Sequence, residues 1–440
     1  MSIKTFKGGI HPHYKKELTN AKPVVLVEAG PLVVIPLQQH IGKICSPLVK
    51  KGDYVKVGQR IGDADAFVSA PVHSSVSGKV LEIEPMPYYN GAKVNSVIIE
   101  NDFQNIMDES VVPAGNYEDM SPDEIVNTIH RAGIVGMGGA GFPMHIKINP
   151  PKNKCIKYVI LNGAECEPYL STDHRTMLEH VDEMLFGINV LLHITKAKRA
   201  FIAVEDNKPD VIELLLKKNL PYNIEVVPLE TKYPQGSEKQ IIKSVTGIEV
   251  PHGALPADVG VIVNNVDTCV SLYNIFIKGI PCIRKRVTVS GGAVKNPGVY
   301  DAPLGVSFKE LFEAAGGFTS KPAKIIMGGP MMGSAQISLD AGVIKTTSGI
   351  LAFTAKEARK YTESPCLRCG KCVDVCPMHL MPTLIEQAER RNDLSAMEKL
   401  CAKDCIECGS CSYICPSHRY LVERVKLAKN KVQTLSANRK

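Results

Sequence analysis

Cys366-Leu367-Arg368-Cys369-Gly370-Lys371-Cys372-Val373-Asp374-Val375-Cys376-Pro377 reads CxxCxxCxxxCP, and Cys405-Ile406-Glu407-Cys408-Gly409-Ser410-Cys411-Ser412-Tyr413-Ile414-Cys415-Pro416 reads it again. Soft thiolates suit iron-sulfur cores, and in the bacterial two-cluster pattern the fourth cysteine of each run ligates the other cluster. The spacing therefore predicts two 4Fe-4S clusters. Cys366, Cys369, Cys372 and Cys415 hold one, and Cys405, Cys408, Cys411 and Cys376 hold the other. Crossed ligands lock the two runs into one unit and keep the clusters within electron-hopping range. Structural zinc is the alternative, since CxxC pairs also bind zinc. Three cysteines at two-residue gaps followed by CP, twice over, weigh against it. Cys401 reads as a reserve ligand or an ordinary buried thiol. Cys45, Cys155, Cys166, Cys269 and Cys282 lack metal spacing.

The remaining composition bounds the rest of the chain. At 440 residues the polypeptide is too long for one core. With 44% apolar and 22% charged residues it has the make-up of a globular protein. No apolar stretch follows the charged start MSIKTFKGG, so no secretory signal is expected. The uncharged window from Ile325 to Leu339 is broken by Gly328, Gly329, Pro330 and Gly333. It falls short of a bilayer span of about 20 residues. Fourteen cysteines without an export signal suit a reducing compartment. The formal charge of +7 falls to about +3 once eight thiolates and two oxidised cores are included, too little to argue for nucleic acid. From Arg419 to Lys440, seven Lys/Arg face the single Glu423. That stretch reads as a solvated helix end or as a patch for an acidic partner or lipid surface.

Working toward the amino end, the cluster unit spans residues 364–440, with a helix expected from Pro382 to Lys399. A linker, 341–363, precedes it. Residues 284–340 carry the strand RKRVTVSG, a turn at Asn296-Pro297-Gly298 and the helix SFKELFEAAGG. Across 116–283, strand-like runs at 157–161, 200–205, 223–227 and 259–263 alternate with helical patterns near 173–194, 209–219, 236–246 and 266–278. Such alternation implies a parallel sheet under helices, with ligands beyond the carboxyl ends of the strands. That unit opens with Ser121, Pro122 and Glu124, an N-cap, an N1 proline and an N3 carboxylate. Residues from about 24 to 100 alternate short β-rich runs with glycine turns, the mark of a compact all-β module, to which the span 1–115 is assigned.

Gly136-Met137-Gly138-Gly139-Ala140-Gly141 matches GxGxxG, but a helix precedes it and Phe142-Pro143 follows at once, so a dinucleotide turn is not expected. Four glycines in six residues let backbone N-H groups approach a phosphate or a flat ring, or else make a tight structural turn. Asn162-Gly163-Ala164-Glu165-Cys166-Glu167-Pro168 and Asn264-Asn265-Val266-Asp267-Thr268 each follow a buried strand-like run. Both put amides where a ligand would lie.

With Lys147 and Tyr233-Pro234-Gln235-Gly236-Ser237-Glu238, these segments resemble, in order, the FMN and NADH site of the flavoprotein subunit of respiratory complex I. The stretch KKGDYVKVGQRIGDAD with APVHSSVSGKVLEIE resembles a biotinyl/lipoyl-type barrel-sandwich, and 284–340 resembles the SLBB β-grasp module. The fold class is thus multidomain α/β: a barrel-sandwich, a Rossmann-like flavin and nucleotide domain, a β-grasp module and an α-helical ferredoxin-like domain. The whole resembles the C-subunit family of the Rnf complex, a membrane assembly that couples ferredoxin:NAD oxidoreduction to ion transport.

The resemblance implies that Gly136, Gly138 and Gly139 line the FMN and nucleotide face and that Lys147 meets flavin oxygens or the phosphate. It implies that Asn162, Glu165 and Glu167 flank the isoalloxazine and nicotinamide, and that Tyr233, Gly236 and Glu238 close the other side. Asn264, Asn265 and Thr268 would hold the FMN phosphate and ribityl chain, and Phe142 would stack on the dinucleotide. Met137, Ala164 and Ser237 depart from the complex I pattern, where arginine, aspartate and glutamate are usual.

Nicotinamide yields two electrons as hydride while each cluster takes one, which gives FMN a reason to share a chain with clusters. No side chain need act as nucleophile or base. The resemblance implies a peripheral subunit on the cytoplasmic face of the cell membrane. Its partners would be other Rnf-type membrane subunits, a ferredoxin-like subunit and NADH. Two other readings stay open: an electron relay with a vestigial nucleotide pocket, and an iron-sulfur flavoprotein subunit of a soluble dehydrogenase or hydrogenase.

Overall fold

The computed structural model describes residues 2–151 and 153–438. Its centre is the strand Tyr158–Gly163, whose apolar residues Val159, Ile160 and Leu161 can be buried on both faces because helices cover both. It forms a four-stranded parallel sheet with Arg199–Glu205 and Ile224–Leu229 on one side and Val261–Asn265 on the other. Val159, Ile202 and Ile262 face one helix layer, and Ile160, Ala203 and Val263 face the other. The chain steps twice to one flank and then crosses to the opposite one. Tyr158–Gly163 and Val261–Asn265 therefore border the point where strand order reverses, a crevice where such sheets take ligands. The expected capping box forms at Ser121, whose N-H donates to Glu124 at 2.7 Å. The helix read at 173–194 is two helices, Thr172–Glu179 and Val181–Thr195, broken at His180.

The β module is a sandwich of a four-stranded antiparallel sheet (Leu32–Pro36, Lys93–Asn101, Gly78–Pro87, Tyr54–Val55) and a three-stranded one (Ser46–Pro47, Arg60–Asp63, Val72–His73). Its core does not close on itself. Val33, Ile35 and Val97 belong to the same apolar cluster as Val287 and Ile350 of the next sheet and Phe308 and Leu311 of the helix Phe308–Ala314. Sandwich and β-grasp unit are thus one body, joined by burial.

Two boundaries drawn from sequence need correction. Gly349–Phe353 lies inside the expected linker 341–363, yet it is an interior strand of the six-stranded β-grasp sheet. It pairs in parallel with Arg284–Ser290 and antiparallel with Lys324–Met327. Its five buried residues, GILAF, are too short a run to declare themselves next to polar flanks. The span 1–115 is likewise not all sandwich. Val25–Leu26 adds an edge strand to the β-grasp sheet, and residues 4–19 run along the flavin-type domain toward the cysteine unit.

In the carboxyl-terminal unit the helix expected at 382–399 divides into Pro382–Arg390 and Leu394–Lys399, with Asn392 in the left-handed region at φ 54°. Both pack against Leu421–Asn438 around Ile385, Met397, Val425 and Val432. The basic stretch from Arg419 is neither a solvated end nor a free patch. Arg424 and Lys431 pair with Glu389, Lys426 and Lys429 with Glu407, and Arg419 with Glu386. Arg439 and Lys440 lie outside the described residues. No described helix is long and apolar enough to cross a membrane.

Candidate functional site

Each cysteine position of the first run recurs 39 residues later, Cys366 matching Cys405. The geometry repeats as well: Arg368 and Glu407, Gly370 and Gly409, and His379 and His418 all adopt positive φ. These kinks turn each run around a hollow. One pocket is lined by Cys366, Cys369, Cys372 and Cys415, and a second by Cys376, Cys405, Cys408 and Cys411. Each set combines three thiols of one run with the fourth of the other, the grouping read from the spacing. Among the described residues no three His, Cys, Asp or Glu side chains gather closely enough to hold a single ion. The thiols ring a space instead of meeting at a point, an arrangement that suits the ligands of a cluster. Backbone N-H groups of Arg368, Glu407 and Leu380 point at the sulfurs of Cys366, Cys405 and Cys376 at 3.4, 3.3 and 3.3 Å. Such donors are a lever on cluster potential. Cys401 is exposed on a turn and lines neither pocket, so it is not the buried thiol expected.

The second constellation sits at the crevice of the parallel sheet. Asn162 and Asn265 are register partners at the carboxyl ends of adjacent strands, as are Leu161 and Asn264. The glycine segment is a closed loop: Val135 bridges Pro143, and Gly136 N donates to Phe142 O at 2.9 Å. Its tip, Gly138 to Ala140, is exposed. Gly139 has φ 121°, and a side chain there would meet nothing within 4 Å, so its backbone stands open to a ligand. Met137 N donates to Thr268 Oγ1 at 3.0 Å, which fastens the loop over the helix Val266–Tyr273. Asn265 caps that helix and donates to Asp173 at 2.9 Å. Across the crevice Asn162 Nδ2 donates to Gly236 O at 2.7 Å. Lys147 pairs with Glu238 at 2.8 Å, and Phe142 is half-buried beside the loop.

Three site residues face elsewhere. The Glu165 carboxylate accepts from the N-H groups of Asp173 and His174 at 2.8 and 3.2 Å and so caps the helix Thr172–Glu179. Glu167 accepts from Met331 and Met332 N-H at 3.0 and 2.9 Å, and burial pushes its carboxyl up to about 7. Tyr233 is 1% exposed, with its hydroxyl on the cysteine unit. The resemblance directs these side chains toward the crevice; buried backbone donors and acceptors nearby claim their polar atoms instead.

Several contributors were not legible in sequence. Buried Lys16 donates to the carbonyls of Glu165, Glu167 and Leu170, at 2.7, 3.0 and 2.5 Å. Lys208, also buried, donates to Ala164 O and to Glu205, both at 2.8 Å. Lys285 and Arg286 of the β-grasp strand grip Asp267 at 2.5 and 2.6 Å. Burial acts to raise the Asp267 carboxyl, but the two cations outweigh it and hold it below the usual range. A lone lysine carries no sequence signal that would have found Lys16 or Lys208.

The crevice offers donors that suit a phosphorylated group. Asn264 at the end of its strand is buried, yet its side-chain Nδ2 has no partner within the protein, an orphan donor of the kind a bound group can satisfy. The open loop tip and a capped helix N-terminus supply further N-H groups.

Residues 129–274 match the family described as the Nuo51 FMN-binding domain, and 4–104 match the RnfC barrel sandwich hybrid domain. Residues 286–335 match the SLBB domain, and 359–432 match the 4Fe-4S dicluster domain. The chain is 48% identical over 435 residues to the C-subunit of the Na(+)-translocating ferredoxin:NAD(+) oxidoreductase complex of Acetobacterium woodii, covering 98% of both chains. It is 45% identical over 383 residues to the proton-translocating counterpart of Clostridium ljungdahlii, covering 87% of this chain and 84% of that one. It is 38% identical over 400 residues to the C-subunit of the ion-translocating oxidoreductase complex of Rhodobacter capsulatus, covering 90% and 77%. Among solved structures, the NAD+-reducing [NiFe]-hydrogenase in the H2-reduced state shares the fold at a TM-score of 0.50 and 18% identity, over 73% of this chain and 65% of that one.

Proposed function

The chain belongs to the C-subunit family of Rnf-type ion-translocating oxidoreductase complexes, and from that membership we propose that it joins a nicotinamide half-reaction to one-electron carriers through FMN and two 4Fe-4S clusters. It is an oxidoreductase subunit, read as peripheral on the cytoplasmic face of a membrane-bound complex, with other Rnf subunits, a ferredoxin-like protein and NAD(H) as partners.

One observation carries this reading: the second four-cysteine pocket abuts the strand-end crevice. Cys408 packs with Cys166 and Tyr233, and Cys166 in turn accepts from Gly236 N at 3.3 Å. When bound, FMN exchanges two electrons with nicotinamide and one at a time with a cluster. The protein's task is placement. Gly136, Gly138 and Gly139 present backbone to the nucleotide. Asn162, Gly236, Asn264, Asn265 and Thr268 wall the crevice, Phe142 flanks it, and the Lys147–Glu238 pair closes its rim. Glu165, Glu167 and Tyr233 act one step back, by fixing the segments that carry them. Cys366, Cys369, Cys372 and Cys415 would hold one cluster and Cys376, Cys405, Cys408 and Cys411 the other.

An anaerobic titration with NADH tests the proposal. Material carrying about eight irons, as two cubanes require, should show flavin bleaching followed by the EPR signals of reduced clusters. Full iron with neither flavin binding nor NADH-dependent bleaching would leave only the relay reading.

A further inference from the structure

The two halves of the cysteine unit are copies, yet they meet different surroundings. Cys408 is buried, Ile406 packs beside Tyr233, Cys166 and Met331, and a side chain at Gly409 would come within 3.2 Å of Met331 O. At the matching positions Cys369 is exposed, Leu367 is 68% exposed, and a side chain at Gly370 would meet nothing within 4 Å. The second loop docks on the chain's own flavin-type domain, while the same structure in the first loop stands uncovered. The charges differ in the same sense. Glu407 is neutralised by Lys426 and Lys429, whereas its counterpart Arg368 has no carboxylate partner among the described residues.

More cations surround that loop. Arg359 lies over the ring of Tyr361, which stacks on His418 at 4.1 Å, three residues past Cys415. Ser364 N donates to Ser417 O and Ser417 Oγ to Pro365 O, so the segment from 359 to 365 is fastened beside the first pocket. Arg359, Lys360, Arg368 and Lys371 are exposed without carboxylate partners among the described residues. The nearby Glu363 is already shared by Arg390 and Arg419. An exposed leucine and an open glycine ringed by unpaired cations form a face for a negatively charged protein.

We propose that the face formed by Leu367, Arg368, Gly370 and Lys371, with Arg359 and Lys360 at its rim, is the docking site for a small acidic one-electron carrier protein, and that electrons pass between that carrier and the flavin through the first pocket and then the second. The proposal rests on the cofactor reading given above. In the direction of NAD reduction, two reduced carriers are each oxidised by one electron at this face. The pair leaves as hydride on NAD+ with one proton taken up from water.

The test uses the full chain with its clusters assembled, and a small acidic two-4Fe-4S ferredoxin as probe. Iron, flavin and NADH bleaching are measured on every sample, so a failure of the cofactor reading appears there and not in the binding arm. Binding should weaken steeply as salt is raised from about 50 to about 300 mM. The double variant Arg368→Glu, Lys371→Glu should lose at least about tenfold in affinity with iron content and melting temperature unchanged. Lys93→Glu, on the exposed end of a sandwich strand, should bind as the parent does, and a basic c-type cytochrome should not bind. No measurable ferredoxin binding, equal loss in Lys93→Glu, or affinity indifferent to the double reversal would each overturn the assignment.

Discussion

The hydroxyl of Tyr233 donates a 2.8 Å hydrogen bond to the backbone carbonyl of Cys408, across the seam between the flavin-type domain and the cysteine unit. Both groups are buried, so neither has water as a substitute. Tyr233→Phe keeps the ring and orphans the carbonyl, which should cost about 1–3 kcal/mol of stability. Iron content should stay at the parental level, while cluster reduction after NADH addition slows in stopped-flow because the second pocket is less firmly seated. A variant with parental stability and parental cluster reduction would show the bond to be incidental.

Lys16 gives the second prediction. Its ammonium serves three carbonyls of the loop that holds Glu165 at φ 45°, a left-handed conformation that costs a non-glycine residue energy. Burial pulls the Lys16 pKa below that of an ordinary lysine. Lys16→Met leaves those acceptors unserved at about 1–3 kcal/mol each. FMN affinity, followed by fluorescence quenching, should fall at least about tenfold, and the iron of the distant first pocket should be retained.

What could be read in advance follows from how local the signals are. The cysteine runs state their chemistry and their crossed pairing because a cluster needs thiols at fixed steps, and the two pockets match that reading residue for residue. The parallel sheet was legible because strand-like runs alternate with helical patterns at regular spacing from 157 to 278. Gly349–Phe353 was hidden because five apolar residues between polar flanks carry no period, and its pairing with Arg284–Ser290 is set by residues far away in the chain. The resemblance places Glu165 and Glu167 at the site, but the direction of their carboxylates depends on N-H groups of Asp173 and Met331 that no spacing rule connects to them. Lys16 belongs to the same class: its role exists only through tertiary contact.

The sandwich predicts a pH dependence. His40, His73 and His130 feel the charge of Lys345, His145 lies against His130, and all four are held below the ordinary histidine value, chiefly by burial. His73 falls to about 3 and His145 to about 4, the former also repelled by Lys345. A histidine whose folded pKa is depressed binds its proton more readily once unfolded, so stability is full above about 6.5 and declines as pH falls toward the folded value. Each such group contributes a slope of up to about 1.4 kcal/mol per pH unit. Melting temperature should therefore drop as pH is lowered from about 7.5 to about 5, and His73→Gln should flatten that drop. A profile that rises toward the acid end would contradict the assignment.

Gly370 and Gly409 separate backbone strain from docking. Both sit at φ 78°, where replacing glycine by alanine costs about 1 kcal/mol whatever the surroundings. The added methyl at Gly370 meets open space, while at Gly409 it would lie 3.2 Å from Met331 O, with Met331 Cε at 3.7 Å. Met331 N is itself tied to Glu167, so the obstructing backbone cannot move without loosening the crevice loop. Gly370→Ala and Gly409→Ala should thus lose similar stability within the cysteine unit. Only Gly409→Ala should also slow electron transfer from flavin to clusters. Parallel stopped-flow traces of the two variants, normalised to iron content, decide it: equal slowing would mean that strain alone is at work and that the contact with Met331 contributes nothing to electron transfer.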